Sequence, residues 1–161
     1  MTRIRQYREV VINTCFGGFG LSKKAVAELA RLRGRKAYFF TTAPGSLNEY
    51  IPVDEASKDS LFWTAFDIPN PNEVLRGYRD WHDMTDVEKQ ASNKVYEQHA
   101  LPTRPDDRAD PLLVKVVKQL GQHANGGCAD LKIVKIPAEV KYVIEEYDGL
   151  EHIAEVHRTW R

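Results

Sequence analysis

Cysteine is scarce in this chain: Cys15 and Cys128 are the only two among 161 residues. Two thiols so far apart, outside any CxxC or metal-ligand spacing, exclude a disulfide-stapled scaffold and a zinc module. They fit a reducing compartment in which both are buried small residues. Net charge is lacking too, with 23 basic residues against 23 acidic ones. That removes the overall positive field on which non-specific nucleic-acid binding rests, so nucleic acid is not an expected partner. No apolar run approaches the ~20 residues of a membrane span. The opening "MTRIRQYREVV" carries charge but no apolar core of signal-peptide length. No membrane partner is expected. GxSxG, HExxH and the P-loop pattern are missing, as are internal repeats and low-complexity tracts.

What is present reads as an α/β or α+β domain. A hydrophobic fraction of 42% and a charged fraction of 29% are those of a globule. The length suffices for one core without staples, so a single domain over residues 1–161 with a mixed sheet is expected. "REVVIN", residues 8–13, is a β-branched strand. A glycine loop follows, then Ser22 as N-cap, then Ala25, Val26, Leu29, Ala30 and Leu32 at helical spacing as far as Gly34. "KAYFFTT", residues 36–42, reads as a second strand. The order resembles a βαβ opening, right-handed if its strands are parallel.

Over residues 43–84 the pattern dissolves. Pro44, Pro52, Pro69 and Pro71 punctuate the segment, yet Tyr50, Ile51, Leu61, Phe62, Trp63, Phe66, Tyr78 and Trp81 make it too apolar for a linker. A lid, an interface or an ordered loop packed on the core is expected there. Thr85 with Glu88 is a capping box for the next helix. Asp110-Pro111 opens another, with Leu112, Leu113, Val116, Val117 and Leu120 as its stripe and Gly121 at its end. "LKIVKIP" is a strand. Asp148-Gly149 then marks a C-terminal β-hairpin. A two-residue turn sets Tyr147 opposite Leu150, Glu146 opposite Glu151 and Ile144 opposite Ile153, whereas a bulge shifts that register.

Two stretches, "VVINTCFGGFGLS" near the start and "DPLLVKVVKQLG…LKIVKIP…IEEYDGLEHIAEVHRTW" at the end, resemble a group of small proteins encoded by bacteriophages and prophages. Together they cover about half the chain, with the aromatic middle outside. The resemblance implies action in the cytoplasm of a bacterial host and carries no catalytic residue across. Small phage proteins include sponges that trap nucleotide-derived immune signals, which brings that class into consideration.

Three constellations could carry chemistry. The first is the glycine loop. A strand feeding glycines and a helix N-terminus presents backbone N–H groups to a phosphate. Lys23 and Lys24 occupy a first turn where each cation costs ~0.3–1 kcal/mol unless an anion offsets it. Asn13, Gly17, Gly18, Gly20, Ser22, Lys23 and Lys24 are therefore candidate ligand contacts. A tight strand-to-helix connection explains the same glycines without a ligand. The second is "RGYRDWHD", in which Arg76, Arg79 and Trp81, with Tyr78 and His82, combine stacking surfaces and phosphate-seeking guanidinium groups. The same mixture suits a protein interface. Arg104 and Arg108 read as a solvated loop.

The third is the acidic hairpin. Glu146 opposite Glu151 is destabilising without a counter-charge, a repulsion that Arg158, a partner chain, a metal or a raised carboxyl pKa could relieve. With His152, the two carboxylates are also the candidates for acid–base catalysis. No metal spacing appears, and no metal or cofactor is expected.

The leading expectation is a homo-oligomeric phage or prophage protein that holds a nucleotide-like anionic small molecule without transforming it. The alternatives are an enzyme acting on a nucleotide or ADP-ribose-like substrate, and a protein that binds and inhibits a host protein.

Overall fold

The first strand among the described residues is β1 (Tyr7–Asn13), whose apolar half, Val10 to Ile12, is buried. In the computed structural model, residues 6–43, 49–57, 62–75 and 83–156 are described. They mix helices and strands in the α+β manner and group into two units, Met1–Ala25 with Arg104–Arg161, and Val26–Thr103.

The first unit is built on β1 and β5 (Leu131–Pro137). They pair antiparallel from Tyr7↔Pro137 to Asn13↔Leu131. The helix α4 (Pro111–Leu120) packs on both strands. Asp110 caps it by accepting from Leu112 N at 2.8 Å, and Leu113, Val114, Val116 and Val117 are buried. Burying each such side chain stabilises by about 1.5–3 kcal/mol. A 3-10 turn, Gly121–Ala124, follows the helix. The C-terminal hairpin of β6 (Tyr142–Tyr147) and β7 (Leu150–Glu155) places Tyr147 opposite Leu150, Glu146 opposite Glu151 and Ile144 opposite Ile153. Asp148 and Gly149 have φ of 50° and 85°, the two positive values of a type I′ turn, so the two-residue register holds without a bulge.

The helix α1 (Lys23–Leu32) leads from the first unit into the second. Ser22 Oγ accepts from Ala25 N at 3.1 Å at its start. Its end is a Schellman motif, in which Arg35 N donates to Ala30 O and Gly34 N to Arg31 O. In the second unit β2 (Tyr38–Thr42) pairs antiparallel with both β3 (Tyr50–Pro52) and β4 (Thr64–Phe66). A short helix α2 (Pro71–Val74) and a longer one, α3 (Asp86–His99), complete it. The Thr85–Glu88 capping box forms as expected. Phe40, Phe66 and Leu75 make the buried cluster, with Tyr50 and Tyr96 packed edge-on to Phe66.

Two expectations change. β1 and β2 lie in different sheets, so the opening is not a βαβ unit, and among the described residues three small antiparallel sheets stand in place of one mixed sheet. The cause is that β1 finds its partner near the other end of the chain. The described part of residues 43–84 supplies two strands, a short helix and the Tyr50, Phe66 and Leu75 side chains that pack with Phe40 and Tyr96.

Candidate functional site

Asn13 ends β1 with no exposed surface. Its Nδ2 donates to Cys15 O at 2.7 Å and Gly149 O at 2.6 Å, while its Oδ1 accepts from Asp130 N at 2.8 Å. One amide thus ties together the strand end, the glycine loop, the entry to β5 and the hairpin turn. Its hydrogen-bonding groups face protein, not a ligand.

The glycines serve the same closure. A Cβ on Gly149 would overlap Gly18 N and stand 2.7 Å from Gly17 N. A Cβ on Gly17, where φ is 139°, would lie 2.5 Å from Cys128 O. Gly20 meets backbone as well, accepting from Gly126 N at 2.8 Å. The loop expected to cradle a phosphate is occupied by the chain's own backbone, and only glycine allows the strands of that knot to approach so closely. At the helix start, Ser22 Oγ also donates to His123 O at 2.6 Å. Lys23 is 7% exposed, and Lys24 is exposed. The two adjacent lysines thus differ in access, the first enclosed and the second open to solvent.

Below the turn lies a buried ion pair. The Arg108 guanidinium meets Glu151 with two bonds of 3.2 Å, donates Nε to Pro105 O at 2.9 Å, and stacks 3.4 Å above the Phe19 ring. Glu151 also accepts from Asn13 N at 2.8 Å. Arg108 is the counter-charge that the opposed carboxylates require, and Arg158 lies outside the described residues. Glu146 turns aside to accept from Gly149 N at 3.1 Å. His152 pairs with Glu145 at 3.0 Å on the opposite face of the hairpin, because neighbouring strand residues point to opposite sides. Of the candidate acid–base residues, the hairpin sets Glu146 and Glu151 on one face and His152 on the other. Arg104, Arg108, Asp106, Glu146 and Glu151 do line a cleft of about 430 Å³, with three carboxylates against two guanidinium groups. Arg76, Arg79 and Trp81, with Tyr78 and His82, lie outside the described residues.

A larger groove lies elsewhere in this unit, with a volume of about 770 Å³. One wall is the polar start of β1, Tyr7 to Glu9, and the other is a face of α4. Pro111, Val114, Lys115 and Lys118 recur at i, i+3, i+4 and i+7, so helical geometry puts all four on that face. Tyr7 is 55% exposed. Arg8 donates to Ala138 O at 3.2 Å and lies 5.7 Å from the centre of the Tyr142 ring. Lys118 pairs with Glu9 at 2.6 Å. That hydrogen bond, aided by the charges of Lys118 and Lys135, outweighs desolvation and holds the Glu9 carboxyl below the usual carboxylate range. Lys115 has no ion pair among the described residues and is exposed. Three cations against one carboxylate leave the groove with positive excess beside the apolar surface of Tyr7, Pro111 and Val114.

No motif announces this groove, because its lining comes from three separated parts of the chain. The helical spacing of Pro111, Val114, Lys115 and Lys118 is the one sequence signal that could have found half of it. No protein-family model matches this chain, and neither does any curated protein or solved structure. Among the described residues, no group of three His, Cys, Asp or Glu side chains is placed to hold a metal ion, and no helix is long and apolar enough to cross a membrane.

Proposed function

We propose that the protein binds a small anionic ligand bearing a flat or apolar moiety, of the nucleotide class, in the groove between β1 and α4, and holds it without transforming it. The observation that carries this reading is the groove's make-up: Tyr7, Pro111 and Val114 offer apolar surface, and Lys115 and Arg8 offer charge beside it. Pockets of ~300–1,000 Å³ that are mostly apolar with a few convergent polar groups are the usual small-molecule sites. Anionic groups gain charge-assisted hydrogen bonds from ammonium and guanidinium, and a base gains a stacking surface from tyrosine. In the phage or prophage setting that the sequence resembles, such a protein acts by mass action, lowering the free concentration of a nucleotide-derived signal in the host.

Isothermal titration against a panel of mono- and dinucleotides, cyclic dinucleotides and ADP-ribose tests the reading. At least one member binds, and denaturing the complex returns it chemically unchanged. Lys115→Glu weakens that binding by roughly 10–100-fold, the value of one charge-assisted bond lost, without lowering Tm. Binding that survives Lys115→Glu unaltered refutes the assigned groove. Recovery of an altered product refutes the holding function.

A further inference from the structure

The two cysteines, distant in sequence, are neighbours in the fold. Past the last β1–β5 pair the two backbones stay side by side, with Thr14 N donating to Asp130 O at 2.8 Å. One residue on, Cys15 Sγ donates to the backbone oxygen of Cys128 at 3.1 Å, although the residues are 113 apart in the chain. Neither thiol is buried: Cys15 is partly accessible and Cys128 is exposed. The flanks are glycine on both sides, Gly17 and Gly18 after one and Gly126 and Gly127 before the other. No atom lies within 4 Å of the place where a Gly127 Cβ would be. Disulfide closure requires the sulfurs to come to ~2.04 Å with the Cα atoms within ~7 Å, and the open space at Gly127, next to Cys128, is where the chain can give.

We infer that Cys15 and Cys128 are a reversible disulfide site, closed by a low-molecular-weight disulfide and opened by a thiol reductant. The exposed Cys128, as thiolate, attacks one sulfur of the small disulfide. A mixed disulfide forms on Cys128 and one small thiolate leaves. Cys15, as thiolate, then attacks Cys128 Sγ, forming the intrachain S–S bond and expelling the second small thiolate. The protein loses two electrons and two protons, and the small disulfide is reduced to two thiols. The bond would fasten the glycine loop to the segment entering β5, beside the Asn13 knot. It would also constrain a long loop in the unfolded chain, where cross-links stabilise most.

The full chain is incubated with excess oxidised glutathione and then studied by intact mass and non-reducing peptide mapping. The expected product is monomeric, lighter by two hydrogen atoms, and yields one linked peptide containing Cys15 and Cys128. Its Tm rises by roughly 5–15 °C, the shift that closing so long a loop gives in a chain of this size, and falls back with dithiothreitol. Cys15→Ser and Cys128→Ser each give no linked peptide and no such rise. The inference is overturned if both thiols remain alkylatable after oxidation, if each carries its own glutathione adduct, or if the only disulfide joins two chains.

Discussion

Replacing Glu151 by alanine removes the carboxylate from the most enclosed ionic contact among the described residues of the first unit. The Glu151 side chain is 3% exposed and that of Arg108 is 13%. Alanine leaves the guanidinium without its two 3.2 Å bonds and Asn13 N without its 2.8 Å acceptor. Breaking a buried pair by deleting one partner costs about 3–5 kcal/mol, and an orphaned backbone N–H adds about 1–3. The cleft beside the pair discounts that total, since water entering it can solvate the bared groups in part. We therefore expect a net loss of about 3–4 kcal/mol, a large fraction of the ~5–15 kcal/mol of an ordinary domain. Glu151→Gln keeps the volume and one acceptor but turns an amide towards Arg108, and should lose about 2–3 kcal/mol. Urea unfolding followed by fluorescence and circular dichroism measures both. The decisive comparison adds Arg108→Met and the Arg108→Met/Glu151→Ala double variant. If the pair is coupled as the geometry requires, the double variant loses at least ~1.5 kcal/mol less than the sum of the singles. A Glu151→Ala protein within ~1 kcal/mol of the parent, or strictly additive singles, would refute the reasoning.

Gly149→Ala should cost about 3 kcal/mol or more in the same unfolding assay, because it adds left-handed strain to an overlap with the Gly17–Gly18 backbone. A loss under ~1 kcal/mol would show that the glycine knot is looser than it looks. In the second unit, burial pushes the Asp67 carboxyl up, but bonds from His99 at 2.8 Å and Arg35 at 2.9 Å, with their charge, outweigh it and hold it below its ordinary value of 3.8. A depressed carboxyl contributes stability that is present above the unfolded value and lost as pH falls through the folded one. Asp67→Asn should therefore be less stable than the parent by about 1–2 kcal/mol at neutral pH, the contact being partly exposed, with the gap closing below the ordinary value. A gap that stays constant down to pH ~3 counts against the assignment.

The parts of the fold that could be read in the sequence are those whose cause is local. Ser22, Thr85 with Glu88, and Asp110-Pro111 each start a helix through bonds spanning two or three residues. Asp148-Gly149 sets its own register because a type I′ turn admits only one. What could not be read depends on partners far away in the chain. Arg108 answers Glu151 from 43 residues upstream, so a loop arginine looked solvated and the opposed glutamates looked unanswered. The glycines after β1 looked like a ligand cradle because sequence shows only that backbone can approach something there. In the structure that something is the hairpin turn and the Gly126–Cys128 segment. The groove was hidden for the same reason: the strand start and the α4 face meet only once β1 has paired with β5.

If the groove is the binding site, β1 separates binding from stability. Its last residues, Val10 to Asn13, are buried and end in the Asn13 clamp, whereas Tyr7 to Glu9 form a wall of the groove. The proposed contacts Tyr7 and Lys115 at the open end are exposed side chains whose replacement removes no core packing. Contacts at the closed end are bonds among buried groups. The two ends should therefore fail in different ways. Changing Lys115 should alter affinity and leave unfolding untouched, while changing Glu151 or Gly149 should lower stability and leave the affinity of the protein that remains folded intact. A variant at the glycine knot that lost binding while keeping its full Tm would move the site from the groove to the loop, and with it the choice of residues that hold the ligand.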